Sequence, residues 1–343
     1  MDRKFDVVIG NPPYQEEAQG EGTRDTPVYH HFMDAAFEVS KKAVLITPAR
    51  FLFNAGLTPK SWNEKMLGDK HLRVAHYAAN SDELFPGTGI EGGIVVTYRD
   101  EGCEGEPIGI FTKLPELNDI LHKVIADGGD SIEGTVSSGR AYAYTQTMHD
   151  ENPDASVTMS SDAQFRVSTN AFDQLHSLYH EERPVDVYDY IQILGLIHSK
   201  RTTRWIRSDF IEGPESFGAY KVALPKANGS RTLGGIGKPL ILGPNVAVTM
   251  TFITIGNFGD ESEAEACLKY VKSKFARAML GVLKITQDNP AKVWKYVPLQ
   301  DFTGDSDIDW TKPIPEIDQQ LYAKYGLEAD EIDFIESKVQ PMN

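Results

Sequence analysis

A short apolar run near the start of the chain stops against two prolines. Phe5-Asp6-Val7-Val8-Ile9 is rich in β-branched and aromatic residues, and Gly10-Asn11-Pro12-Pro13 ends it. Proline has no N–H for a strand ladder and its ring clashes within a helix, so neither element continues through the pair. The stretch therefore reads as a buried strand that breaks into a stiff loop.

The pattern downstream alternates. Residues 27–40 place Val28, Phe32, Ala35, Ala36 and Val39 at helical spacing, with Pro27 in a permitted first-turn position. Residues 43–46 read as a second apolar strand ended by Thr47-Pro48, and 59–67 as a second helix. Residues 72–77 and 93–98 read as strands around a loop that holds Phe85-Pro86-Gly87-Thr88-Gly89. Strand, helix, strand, helix predicts an α/β sheet, and the two consecutive strands predict a mixed edge. Asp, Glu and Gly crowd between Asp100 and Pro107, which places a domain boundary there and divides the chain into 1–106 and 107–343. In the second part, 220–224 and 239–254 read as strands, 263–280 as one helix and 317–335 as helical pieces, a mixed α+β content. No internal repeat or low-complexity tract is visible.

Charge narrows the function classes. The chain of 343 residues carries 34 Lys+Arg against 50 Asp+Glu, a net charge of -16, which excludes a uniformly basic nucleic-acid binder. The charge is uneven. Residues 200–231 hold Lys200, Arg201, Arg204, Arg207, Lys221, Lys226 and Arg231, and 269–295 hold seven further cations, whereas 301–343 hold eleven acids and three lysines. A basic middle is hidden under an acidic average. No apolar run is long enough for a membrane helix, and Met1-Asp2-Arg3-Lys4 opens no secretory pattern, so a cytoplasmic location is expected. Cys103 and Cys267 are far apart, and His176 and His180 beside Glu181 and Glu182 do not form H-E-x-x-H, so no metal site is expected. Trp205, among arginines, reads either as a base-stacking ring or as a core tryptophan.

The loop Asn11-Pro12-Pro13-Tyr14 has chemistry of its own if its substrate is a planar amino group. The Asn11 side-chain carbonyl and the Pro12 backbone carbonyl are two acceptors, and the prolines remove N–H donors that would repel an amine. Two acceptors on an exocyclic NH2 turn its lone pair toward an electrophile, which suits methyl transfer by positioning. Tyr14 offers a face on which a base can stack, worth roughly 1 to 3 kcal/mol. The same four residues also read as a plain turn.

Phe5 to Tyr14, Pro27 to Phe51 and Leu84 to Tyr98 resemble the middle and late motifs of DNA adenine-N6 methyltransferases from restriction-modification systems, especially the type IIG-like kind. The resemblance implies that Asn11, Pro12, Pro13 and Tyr14 hold a flipped adenine, and that Asn11 and Pro13 border S-adenosylmethionine. It implies that Phe85, in Leu84-Phe85-Pro86, stacks on the other face of the base; Phe85 fits a core position equally well. Tyr220-Lys221-Val222, Pro225-Lys226-Ala227-Asn228-Gly229, Lys269-Tyr270 with Lys274-Phe275, and Val297-Pro298-Leu299-Gln300 resemble the target-recognition region of the same enzymes. An adenine amino group is hidden in duplex DNA, so such an enzyme grips the backbone and extrudes the base. Arg201, Arg204, Lys221, Lys226 and Arg231 are the expected contacts to double-stranded DNA.

The chain also departs from that pattern. Ten residues precede Asn11, and neither Gly87-Thr88-Gly89 nor Gly234-Gly235-Ile236-Gly237 sits between a strand and a helix as a cofactor loop would. The fold implied is α/β: a partial Rossmann-like methyltransferase sheet with late strands only, followed by a mixed α+β target-recognition domain. The expectation is the C-terminal part of a longer methyltransferase that lacks most of its cofactor pocket, with the missing N-terminal segment or a nuclease part as partners. Two alternatives remain open: a DNA-specificity module without activity, and an NPPY methyltransferase acting on protein glutamine or RNA guanine.

Overall fold

The computed structural model describes residues 4–16, 26–55, 57–87, 89–90, 92–112, 114–161, 163–228, 232–284 and 286–342. The backbone divides into two compact units, Met1–Asn118 and Asp119–Asn343.

In the first unit β1 (Phe5–Gly10), α1 (Tyr29–Val39), β2 (Ser40–Pro48), α2 (Lys60–Leu67), β3 (Leu72–Ala78) and β4 (Ile94–Asp100) follow one another. The sheet order is β1-β2-β4-β3, with β1 parallel to β2 and β4 antiparallel to both its neighbours. The crossover that a parallel pair requires is made by α1. Its buried Tyr29, Met33 and Ala36 recur at helical spacing and pack with Phe51, Trp62, Met66 and Leu72. Met33 is fully buried, a burial worth roughly 1.5 to 3 kcal/mol.

Register decides which loops come together. Gly10 stands opposite Leu45, and Ile94 stands opposite both Pro48 and Ala78. The segments that leave β1, β2 and β3, and the one that enters β4, therefore emerge at the same end of the sheet.

The division into units falls within α3 (Pro115–Ala126). The second unit contains β5 (Val136–Ser138), β6 (Tyr190–Ile197), β7 (Lys200–Arg207), β8 (Tyr220–Pro225), β9 (Leu240–Leu242), β10 (Val246–Val248) and β11 (Phe252–Phe258). These form two of its sheets, β9-β8-β11-β5 and β7-β6-β10. Tyr142, Phe172, Ile193, Ile206, Val248 and Phe252 belong to its core. The architecture is mixed α/β with several small sheets.

The single helix expected over 263–280 is two helices, α4 (Glu261–Lys272) and α5 (Lys274–Gly281). Ser273 between them is extended, and its hydroxyl accepts the Ala276 N–H at 3.1 Å. The carboxylate of Asp318, on α6 (Ile314–Lys324), accepts the N–H groups of Lys274 and Phe275 at 3.1 and 2.9 Å. A side chain 43 residues downstream thus satisfies donors that a continuous helix would have bonded internally. The last helix is α7 (Ala329–Lys338). His176 and His180 do not share a helix: His180 bridges Trp205 as a short strand contact. Among the described residues no helix is long and apolar enough to cross a membrane, and no group of three or more His, Cys, Asp or Glu could hold a metal ion.

Candidate active site

Asn11, Pro12, Pro13 and Tyr14 form the loop at the carboxyl end of β1. Asn11 and Pro13 are exposed, and Pro12 and Tyr14 are half-buried. The loop is pinned on its far side. The Val28 N–H donates to the Tyr14 carbonyl at 3.1 Å, and Gln15 and Glu16 pair antiparallel with Pro27 and Thr26. The prolines stiffen one half of the loop while this short ladder closes the other, so the acceptors of Asn11 and Pro12 are held without a helix or a long strand.

The Tyr14 hydroxyl is shielded from solvent and makes no hydrogen bond of ordinary geometry among the described residues. Burial raises its pKa, and the neighbouring Asn11 side chain pulls it partly back. Tyr14 is therefore a neutral ring with its polar tip inward, suited to stacking and not to proton transfer at neutral pH.

Phe85 lies in the segment between β3 and β4, at the same sheet end as Asn11. It is half-buried, and its N–H donates to the Ser81 carbonyl at 2.8 Å. Side chains organise this loop: Asp82 accepts the Gly87 N–H at 3.0 Å, and the Ser81 hydroxyl accepts the Ile90 N–H at 2.8 Å. Gly93 closes it at a φ of 81°, where a Cβ would lie 2.2 Å from the Ala78 carbonyl oxygen, so no other residue fits without moving the backbone. β3 is three strand spacings from β1, roughly 14 Å.

Two features went unread in the sequence. His30 is buried beside the start of α1, with Nδ1 unpartnered among the described residues. Burial lowers its pKa, and His31, whose ring centroid is 3.9 Å away, lowers it further. The second is the turn His198-Ser199 between β6 and β7, whose signal, two polar residues between alternating strands, lacks the usual glycine.

The expected DNA contacts are placed very differently. Arg201 is exposed, donates to the Lys238 carbonyl and lies with its guanidinium 5.9 Å from the Phe252 ring centre. Arg204 is half-buried and pairs with Glu181 at 2.8 Å. Lys226 is half-buried, and its backbone bonds to Thr251 and Asn289. Arg231 lies outside the described residues. Lys221 is a correction: it is fully buried in the middle strand β8, and its ammonium donates to the carbonyls of Phe217, Ala219 and Gly243 at 3.2, 2.9 and 3.1 Å. All three of its donors are used, which leaves none for a phosphate. Burial lowers its pKa to about 8. Trp205 is half-buried with the Arg183 guanidinium 5.9 Å from its ring centre.

Comparison with known proteins adds a family. Residues 1–85 match the Eco57I restriction-modification methylase family. The resemblance drawn from the Asn11-Pro12-Pro13-Tyr14 loop is borne out at this level. The chain is also similar to an uncharacterized adenine-specific methylase of Mycoplasma pneumoniae, 30% identical over 108 residues, which is 31% of this chain and 26% of that protein. Among solved structures it is similar to the type IIG restriction endonuclease BpuSI (12% identity, TM-score 0.34, 97% of this chain and 52% of that one). A second is the type IIL restriction-modification enzyme MmeI in complex with DNA (12% identity, TM-score 0.36, 97% of this chain and 56% of that one). The chain spans about a quarter of the curated relative and about half of these two structures.

Proposed function

We propose that this chain carries the substrate loop and the target-recognition part of a restriction-modification methyltransferase that methylates adenine N6 in double-stranded DNA. The observation that carries the reading is the position of the Asn11-Pro12-Pro13 segment, with Asn11 and Pro13 exposed, at the carboxyl end of a parallel strand within residues that match the methylase family. Ligands of open α/β sheets bind at that end of the strands.

In this reading the Asn11 side-chain oxygen and the Pro12 carbonyl accept the two N–H groups of the adenine amine. That turns its lone pair out of conjugation and toward the methyl donor, while Tyr14 stacks on the ring. The amine N–CH3 bond forms as the donor's carbon-sulfur bond breaks, and the surplus amine proton leaves to water. S-adenosylmethionine supplies such a methyl group on a positively charged sulfur. Asn11 and Pro13 are the residues of this chain that would border it.

The rest of that pocket fits against β1. This strand is parallel to β2 and lies at the sheet edge, yet Phe5, Val7 and Ile9 are 56%, 49% and 75% exposed. Parallel strands are ordinarily covered on both faces. The reading is that a segment or partner carrying the remaining strands of a Rossmann-like sheet packs there. The 1–106 and 107–343 division then separates catalysis from recognition, with Arg201, Arg204 and Lys226 among the cations that face DNA.

The test is Asn11→Ala in a DNA methylation assay with labelled S-adenosylmethionine, using the chain together with any partner it requires. Methyl transfer should vanish while DNA affinity stays within about twofold. Retained methylation rejects the loop's role. The same exposed β1 surface favours a second reading, a specificity module without activity of its own. Titration calorimetry of the isolated chain with S-adenosylmethionine separates the two, because saturable micromolar binding excludes the module reading.

A further inference from the structure

The antiparallel pair β6–β7 aligns eight residues on each strand, from Tyr190 opposite Arg207 to Ile197 opposite Lys200. Two residues, His198 and Ser199, make the turn, with φ of 48° and 63°. A two-residue turn with both φ positive matches the twist of the strands and normally carries Asn-Gly, because a Cβ is unfavourable there. Here both positions carry a hydrogen-bonding side chain, and His198, Ser199 and Lys200 are all exposed.

This turn is held firmly. Below it, Leu196 and Ile197 pack against the core, and β10 pairs with residues 192–194 of β6. Gly195 lies so close to Phe172 that a Cβ would approach the ring to 2.6 Å. Arg201 ties the other strand to the Lys238 carbonyl and the Phe252 ring. The Arg201 bond brings the Lys238 backbone beside β7, and Phe252 follows Thr251, whose carbonyl accepts the Lys226 N–H at 2.8 Å. Among the described residues Lys200, Lys226 and Lys238 make no salt bridge. Of the four cations in residues 198–207, Arg204 pairs with Glu181 and Arg207 with Glu151 and Asp209, so Lys200 and Arg201 carry the positive charge at the turn's end of the ribbon.

A two-stranded ribbon fits the major groove of B-DNA, about 12 Å wide. Lysines bind phosphates without regard to sequence, whereas a histidine ring and a hydroxyl have the donors and acceptors that distinguish base edges. Resting on the DNA reading above, we propose that the turn His198-Ser199 reads base edges in the groove, with Lys200, Lys226 and Lys238 gripping the flanking phosphates.

The test replaces His198→Gly together with Ser199→Gly, a pair that the turn's two positive φ values accept and that removes both reading groups. Wild type and variant are incubated with a pool of random-sequence duplexes, and bound DNA is sequenced. The variant should remain folded, with a melting temperature at or above that of the wild type, and bind the unselected pool within about threefold. Its enrichment of the preferred sequence should fall about tenfold or more. Lys200→Ala should instead weaken binding to all sequences alike and reduce the log-log salt slope by about 0.9. A variant that still enriches the wild-type sequence overturns this proposal alone. A wild-type chain that binds no duplex overturns the DNA reading, and the proposal with it.

Discussion

The backbone N–H of Val28 donates to the carbonyl of Tyr14 at 3.1 Å. One bond thus ties the end of the Asn11–Tyr14 loop to the start of α1, so the Tyr14 backbone and the helix that closes the parallel crossover are positioned together.

Tyr14 is expected to act through its ring and not through its hydroxyl, which is shielded and makes no hydrogen bond of ordinary geometry among the described residues. Tyr14→Phe should leave thermal stability unchanged or slightly higher and keep DNA methylation within about threefold. Tyr14→Ala should lower kcat/KM by the value of one base-aromatic stack, roughly 1 to 3 kcal/mol or about 5- to 150-fold. Steady-state methylation kinetics of the two variants decide it, and equal losses in both would reject the stacking role.

The edge strand β1 should make the isolated chain self-associate, because Phe5, Val7 and Ile9 expose apolar surface beside a strand edge that has no partner among the described residues. Light scattering should show a mass that rises with concentration, and Val7→Lys should suppress the rise. A constant monomer mass for the wild type would contradict this.

Lys221 should matter to stability and not to DNA. Its pKa falls from the ordinary 10.5 to about 8 because of burial, so between those values the unfolded chain binds more protons than the folded one. Stability from this group therefore rises with pH across that window, and the full cost of the buried charge is present below it, about 3 kcal/mol. Urea unfolding of wild type and Lys221→Met, compared from pH 8 to 10, should show the difference shift in favour of the wild type. The salt slope of DNA binding should be the same in both.

Asp318 carries the opposite pH signature. Burial raises its pKa from 3.8 to about 6, against the hydrogen bonds from Phe275 and Lys274 that lower it. A raised folded pKa adds stability that is complete below the unfolded value and disappears as pH rises through the folded one. Wild type minus Asp318→Asn stability should thus increase by about 3 kcal/mol as pH falls from 7 to 3.5. A pH-independent difference in urea unfolding would show that this carboxyl does not titrate in the window.

Much of the first unit is legible in residue order because its signals are local. Pro12 and Pro13 must end β1, and the spacing of Val28, Phe32, Ala36 and Val39 must give a helix, so α1 falls within the expected 27–40. The acceptors of Asn11 and Pro12 follow from residue type alone. Partnership does not. Lys200 and Lys221 are the same residue in the same basic stretch, yet β8 lies between β9 and β11 and buries one, while the turn after β6 exposes the other. The break at Ser273 is similarly hidden, because its second cap comes from Asp318, far along the chain. Local sterics and hydrogen-bonding capacity are written into each residue and its neighbours; which charge is desolvated, and which backbone donor is satisfied from a distance, depends on pairings that exist only once the strands and helices are assembled.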